Sequence, residues 1–184
     1  MPAQTIPHFH PWHHVHYGDH APEVVNAIIE IPSGSMGKFE LDKTTGLIRL
    51  DRVLFSSVHY PANYGFIPQT YGEDKDPLDI LVFTSISLPH LCQVEARVIG
   101  VMRMIDQGEA DDKIIAVASR DMSVKHLENI EELPAHTLNQ LQRFFEDYKK
   151  LENKEVVVEN FLPRAEACRI IRESIARYQN HFPG

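Results

Sequence analysis

At 184 residues and a formal net charge of −8, the chain is long enough to bury one core without staples and short for two independent domains. With 43% hydrophobic and 24% charged residues it falls outside the disordered and membrane-spanning classes, and its negative field opposes nonspecific nucleic-acid binding. Two cysteines, Cys92 and Cys168, are too few for a disulfide framework or a zinc knuckle, so both are expected as buried apolar thiols in a reducing compartment.

The chain is expected to be a single domain over 1–184 that begins with a polar arm at 1–20. That arm carries six of the eleven histidines: His8, His10, His13, His14, His16 and His20. No apolar periodicity accompanies them. Two readings stand open: an arm that binds metal, adventitiously or for regulation, or a surface segment pinned to the body by Trp12. The first residues lack the basic patch and apolar run of a signal peptide. No later stretch reaches the ~20 apolar residues of a membrane span, which points to the cytoplasm.

From Val24 to Val117 short β-branched runs predict strands at Val24–Ile31, Leu47–Leu50, Ile80–Phe83, Val94–Met104 and Ile114–Val117. Lys38-Phe39-Glu40-Leu41-Asp42 alternates, so Lys38, Glu40 and Asp42 share a polar face, and Lys43-Thr44-Thr45-Gly46 closes a hairpin into the next strand. After residue 130 the period becomes helical. Leu138, Leu141, Phe144, Phe145, Tyr148 and Leu151 form one stripe behind Pro134 in a first-turn position; a second helix runs from about Pro163 to Phe182. Strands followed by helices predict an α+β fold in which two C-terminal helices cover a small barrel or curled sheet.

The densest chemistry lies in Asp74-Lys75-Asp76-Pro77-Leu78-Asp79-Ile80, three carboxylates leading into an apolar strand. Carboxylates held this close raise one another's pKa unless a cation neutralises them, and hard oxygen ligands suit Mg²⁺. If the segment is extended, Asp74 and Asp76 share a face until Pro77. A second acidic group, Asp106-Gln107-Gly108-Glu109-Ala110-Asp111-Asp112, precedes another apolar strand, with Gly108 allowing a tight fold round an ion. Either group alone also reads as a solvated turn; the pair suggests a multi-metal site. An EF-hand fails, because counting from Asp74 places Asp79 at position six and Ser85 at twelve. Phosphate-loop, dinucleotide and H-E-x-x-H motifs are absent from the sequence.

These residues carry a family resemblance. The D-x-D-P-hydrophobic-D-hydrophobic signature at Asp74–Ile80 is accompanied by Ile29-Glu30-Ile31-Pro32, Lys38–Asp42, Asp51-Arg52, Tyr60–Phe66, Met104-Ile105-Asp106 and Phe144–Lys149. In this the chain resembles the soluble, Mg²⁺-dependent family I inorganic pyrophosphatases, from about Pro22 to Phe182. The resemblance implies a small closed, OB-like β-barrel flanked by helices. It also implies hydrolysis of pyrophosphate to two orthophosphates with several Mg²⁺ per active site, and a homo-oligomer, hexameric or smaller. Carried over by position, it makes Asp74, Asp79 and Asp111 ligands of tightly bound metals, Asp106 and Glu30 ligands of metals arriving with substrate, and Asp76 the general base. Glu40 becomes an outer carboxylate ordering metal-bound water, and Lys38, Arg52, Tyr64, Lys113, Tyr148 and Lys149 contact phosphate, with Tyr64, Arg52 and Lys38 acting beside Asp76. Attack would be direct and in line, by a metal-bridged hydroxide.

The sequence departs from the family pattern at Lys75, where Gly, Ser, Asn or Asp is frequent, at Gln107, where some bacterial members carry an acid, and at Pro89-His90-Leu91. Its His-Pro-Trp-His segment resembles plant-like members. By spacing alone, Tyr148 reads as a core tyrosine, Lys149 as a surface lysine, Lys38 and Glu40 as an exposed ion pair, and Arg52 as the partner of a structural carboxylate. Two other functions are consistent with the fold class: a non-catalytic phosphate or nucleic-acid binding module, and hydrolysis of a larger anhydride such as a nucleotide.

Overall fold

The computed structural model describes residues 9–183; His8 and the start of the expected arm lie outside them. A helical turn, α1 (Pro11–His14), precedes strands β1 (Val24–Ile31), β2 (Gly37–Leu41), β3 (Ile48–Val53), β4 (Asn63–Phe66), β5 (Asp79–Phe83), β6 (Gln93–Asp106), β7 (Glu109–Ala110) and β8 (Lys113–Ala118). Helix α2 (Ala135–Asp147), strand β9 (Val156–Pro163) and helix α3 (Arg164–His181) complete it. β1 pairs with β4, β4 with β5, β5 in parallel with β8, β8 with β6, and β6 returns to β1, so the strands close into a ring. With α2 and α3 flanking it, this ring is the α+β architecture expected from the sequence.

Period-2 alternation decides which helix each strand face meets. All six residues of β8 are buried. Ile114 and Ala116 pack with Ala167, Cys168, Ile170 and Ile171 of α3, whereas Ile115 and Val117 pack with Leu141, Phe144 and Phe145 of α2. Each fully buried aliphatic side chain contributes roughly 1.5–3 kcal/mol. Only glycine fits where β4 crosses β1: a Cβ on Gly65 would lie 1.9 Å from the Ile28 carbonyl oxygen.

Several expectations shift. Strand β9 stands between the two helices, antiparallel to β6 from Gly100↔Pro163 to Asp106↔Val156, where the sequence predicted helices alone. The strand expected at Leu47–Leu50 runs Ile48–Val53. Pro134 is the N-cap of α2, not a first-turn residue, and Tyr148 is the C-cap, so Leu151 leaves the apolar stripe and is 63% exposed. Cys168 is buried as expected, but Cys92 is only partly covered. Among the described residues no helix is long and apolar enough to cross a membrane.

Candidate active site

The strand ends carry the site. Parallel pairing of β5 with β8 sets Ile80 opposite Ile114, which places Asp79 and Lys113, the first residues of the two strands, side by side. Lys113 is 2% exposed and donates to Asp79 Oδ2 at 2.5 Å and to Asp111. Tyr64 of β4 also hydrogen-bonds Asp79. β1 contributes Glu30, the polar face of β2 contributes Lys38 and Glu40, the end of β6 contributes Asp106, and the end of α2 contributes Tyr148 and then Lys149. All of these, with Asp74 and Asp76, line one open cleft of about 510 Å³.

Arg52 does not line that cleft. It donates to Glu152 at 2.6 Å and to Asp51 at 2.5 Å, as the structural reading expected, but its Nη2 is buried with no hydrogen-bond partner. The segment at Asp74–Asp76 is a turn and not extended: the Gly72 N–H donates to the Asp76 carbonyl at 2.7 Å, and Asp74 Oδ1 accepts from the Asp76 N–H at 3.1 Å. Lys75 sits at φ +70°, with its side chain exposed and away from the cleft wall. That left-handed position suits Gly or Asn best, so the frequent residues there have a backbone reason and nothing in the structure explains the departure to Lys. In the second acidic group, Gln107 and Gly108 both take positive φ between paired Asp106 and Glu109, the pattern of a two-residue hairpin turn. Asp112 faces away, bonded to Arg103 at 2.9 Å.

Burial sets the electrostatics. Asp74 and Asp79 are held above the ordinary carboxylate range by desolvation and by the charge of Asp111, in each case against the pull of Lys113. Desolvation pulls Lys113 down, but Asp79 and Asp111 outweigh it and keep the ammonium charged. Lys149 is 9% exposed, paired with Asp106 and 5.2 Å from the centre of the Tyr148 ring, so it is no ordinary surface lysine. Tyr148 is 5% exposed and packed on Phe144 and Phe145; burial and Asp106 raise its hydroxyl's pKa. Lys38 pairs with Glu40 and lies 3.4 Å from Asp51.

The carboxylates outnumber the cationic side chains on this wall, and Asp106 Oδ1 is buried without a hydrogen-bond partner. An all-oxygen set with a spare buried acceptor fits a hard divalent cation. Among the described residues no three of these groups converge as a preformed cage; lysines lie between them.

Glu30 yields a prediction for the metal-free protein. Its carboxyl is pushed up to about 8 by burial and by Asp79 and Glu40, against the stabilising 2.6 Å bond from the Leu41 N–H. A carboxyl raised on folding contributes stability that is fully present below its unfolded pKa and lost as pH rises through about 8. Glu30→Gln should therefore leave urea unfolding in a chelator unchanged near pH 4 and stabilise the protein by at most about 5 kcal/mol near pH 9. Identical pH profiles for the two proteins would contradict the burial argument.

Sequence reasoning missed Lys43, whose ammonium pairs with Asp76, and Glu152, which holds Arg52. Lys43 was seen only as a hairpin residue. It also missed Trp12 on the cleft wall.

The family profile described as Inorganic pyrophosphatase matches residues 27–179. Soluble inorganic pyrophosphatase 2 of Chlamydomonas reinhardtii is 53% identical over 173 residues, covering 94% of this chain and 90% of its own. The soluble inorganic pyrophosphatase of Oryza sativa subsp. indica is 55% identical over 169 residues, 92% of this chain and 79% of its own. In structure, the inorganic pyrophosphatase of Thermus thermophilus superposes with a TM-score of 0.87 at 42% identity, covering 90% of this chain and 97% of that one.

Proposed function

The chain belongs to the inorganic pyrophosphatase family, and from that premise we propose that it is a Mg²⁺-dependent enzyme hydrolysing pyrophosphate to two orthophosphates in this cleft. The observation that carries the reading is the interleaving of hosts for both charges on one wall. Buried Lys113 and Lys149 offer ammonium groups to phosphate oxygens, and the carboxylates between them offer oxygen ligands to cations. Asp74, Asp79 and Asp111 would hold the tightly bound ions, and Asp106, through its spare Oδ1, and Glu30 would hold those associated with substrate. Bound there, Mg²⁺ neutralises phosphate charge and acidifies water.

The chain's own groups do the rest. Asp76 accepts at a carboxylate oxygen the proton that water releases as it attacks one phosphorus in line with the departing phosphate, and no covalent enzyme intermediate forms. Glu40 orients water from the β2 face. Lys38, Tyr64, Lys113, Tyr148 and Lys149 hold phosphate oxygens, so these groups meet the charge that gathers on the leaving group, and Arg52, which does not line the cleft, would join them only if its buried, unpaired Nη2 moved into it. The same reading carries a cytoplasmic setting and a homo-oligomer, hexameric or smaller.

Phosphate release from pyrophosphate, tripolyphosphate, ATP and a phosphate monoester at saturating Mg²⁺ tests the substrate class. Pyrophosphate should exceed the others by at least about a hundredfold in kcat/KM, as differential binding of the transition state allows. Preference for ATP or the monoester would sink the proposal. Tyr148→Phe should lower kcat by less than about tenfold with thermal stability kept, since one neutral hydrogen bond contributes about 1 kcal/mol and the ring packing remains. Loss of folding in that variant would mean that the hydroxyl serves the core.

A further inference from the structure

Residues 9–14 have no part in this chemistry, yet they touch both loops that frame it. Trp12, the chain's single tryptophan, is 4% exposed. Its indole N–H donates to the Thr70 carbonyl at 2.9 Å, its own carbonyl accepts from the Gln69 N–H at 2.9 Å, and the Thr70 hydroxyl accepts from the Leu78 N–H at 2.9 Å. Trp12 thereby grips the start of the loop bearing Asp74 and Asp76 at Gln69 and Thr70, and Thr70 in turn ties the loop's far end at Leu78. On the other side, His10 Nδ1 accepts from the Trp12 N–H at 3.3 Å, which leaves the proton on Nε2 to meet the Lys43 carbonyl at 3.0 Å. The fit is close: a Cβ on Gly46 would lie 3.3 Å from Pro11 Cδ and 3.5 Å from His10 Cδ2. The loop so held sends the Lys43 ammonium across to Asp76.

We propose that the segment from Phe9 to His14 is a clamp fixing the β2–β3 loop against the Asp74–Asp76 turn. In it His10 and Trp12 are positioning residues that set where Lys43 holds Asp76, a role that rests on the pyrophosphatase reading. Binding of phosphate to Lys113 and Lys149 does not depend on this clamp, whereas the orientation of Asp76 does.

The test uses the full chain with His10→Asn. The Asn side chain still caps the turn but is too short to reach Lys43. Hydrogen exchange at residues 42–47 in the metal-free protein should quicken, kcat should fall about tenfold, and KM for Mg²⁺–pyrophosphate should hold. Tm should stay within about 3 °C. Trp12→Phe, which keeps the ring but loses the Thr70 bond, should quicken exchange at 69–78 with the same split between kcat and KM. Unchanged exchange, or quickened exchange with wild-type kcat, overturns the clamp. A lowered Tm with unaltered kcat per folded molecule also overturns it and leaves only packing. If the wild-type chain releases no phosphate, the pyrophosphatase reading fails instead, and exchange at 42–47 decides the clamp alone.

Discussion

Lys113→Met is expected to destabilise the metal-free protein by about 3–5 kcal/mol, the effect of removing one partner from a buried ion pair. Lys113 is 2% exposed and its ammonium is the shared donor for Asp79 and Asp111. The methionine fills the stem's volume, so the loss isolates the charge. For a chain of this size that corresponds to about 10 °C in Tm. Two further readouts separate charge from packing. The variant's carboxyls rise further without the lysine, so its deficit should shrink as pH falls through the carboxylate range. Mg²⁺ should also raise its Tm by more than it raises the wild type's, because a cation between the same carboxylates replaces the missing ammonium. An unchanged Tm in chelator would mean that Lys113 is solvated and would remove the electrostatic basis of the site.

Asp76→Asn is expected to reduce kcat by roughly 10²–10⁴, the usual contribution of a positioned general base. The fold should survive, since Asp76 is half-exposed and its backbone bonds to Gly72 and Asp74 do not need the second carboxylate oxygen. The variant keeps the side chain's shape but not its proton affinity, so KM should change little. A kcat within about threefold of wild type would reject Asp76 as the base and transfer the role to another group, since loss of a true base cannot be so mild.

Much of this was legible because periodicity is local. β5, β6 and β8 announced themselves by apolar runs, and the acidic groups at 74–79 and 106–112 lie within a few residues of one another. What escaped was set by distant partners. β9 begins Val156-Val157-Val158 but turns polar at Glu159-Asn160, and only its pairing with β6 makes it a strand. Lys43 reaches Asp76 across 33 residues and Arg52 reaches Glu152 across 100, separations at which no sequence pattern marks a contact. The Asp74–Asp76 turn could not be told from an extended segment because Lys75 adopts a left-handed conformation that its residue type does not advertise. Lys149 was buried by its pairing with Asp106, which helical spacing does not encode.

The proposed function is a Mg²⁺-dependent pyrophosphatase centre built from carboxylates and buried lysines on one cleft wall. Phosphate release from pyrophosphate, followed as Mg²⁺ is added stepwise to chelator-treated protein, tests it most directly. No release without metal, a steep rise with Mg²⁺, and suppression by Ca²⁺, whose looser coordination would misplace the attacking water, are expected. Release that is independent of Mg²⁺, or no release at any concentration from folded protein, would contradict it.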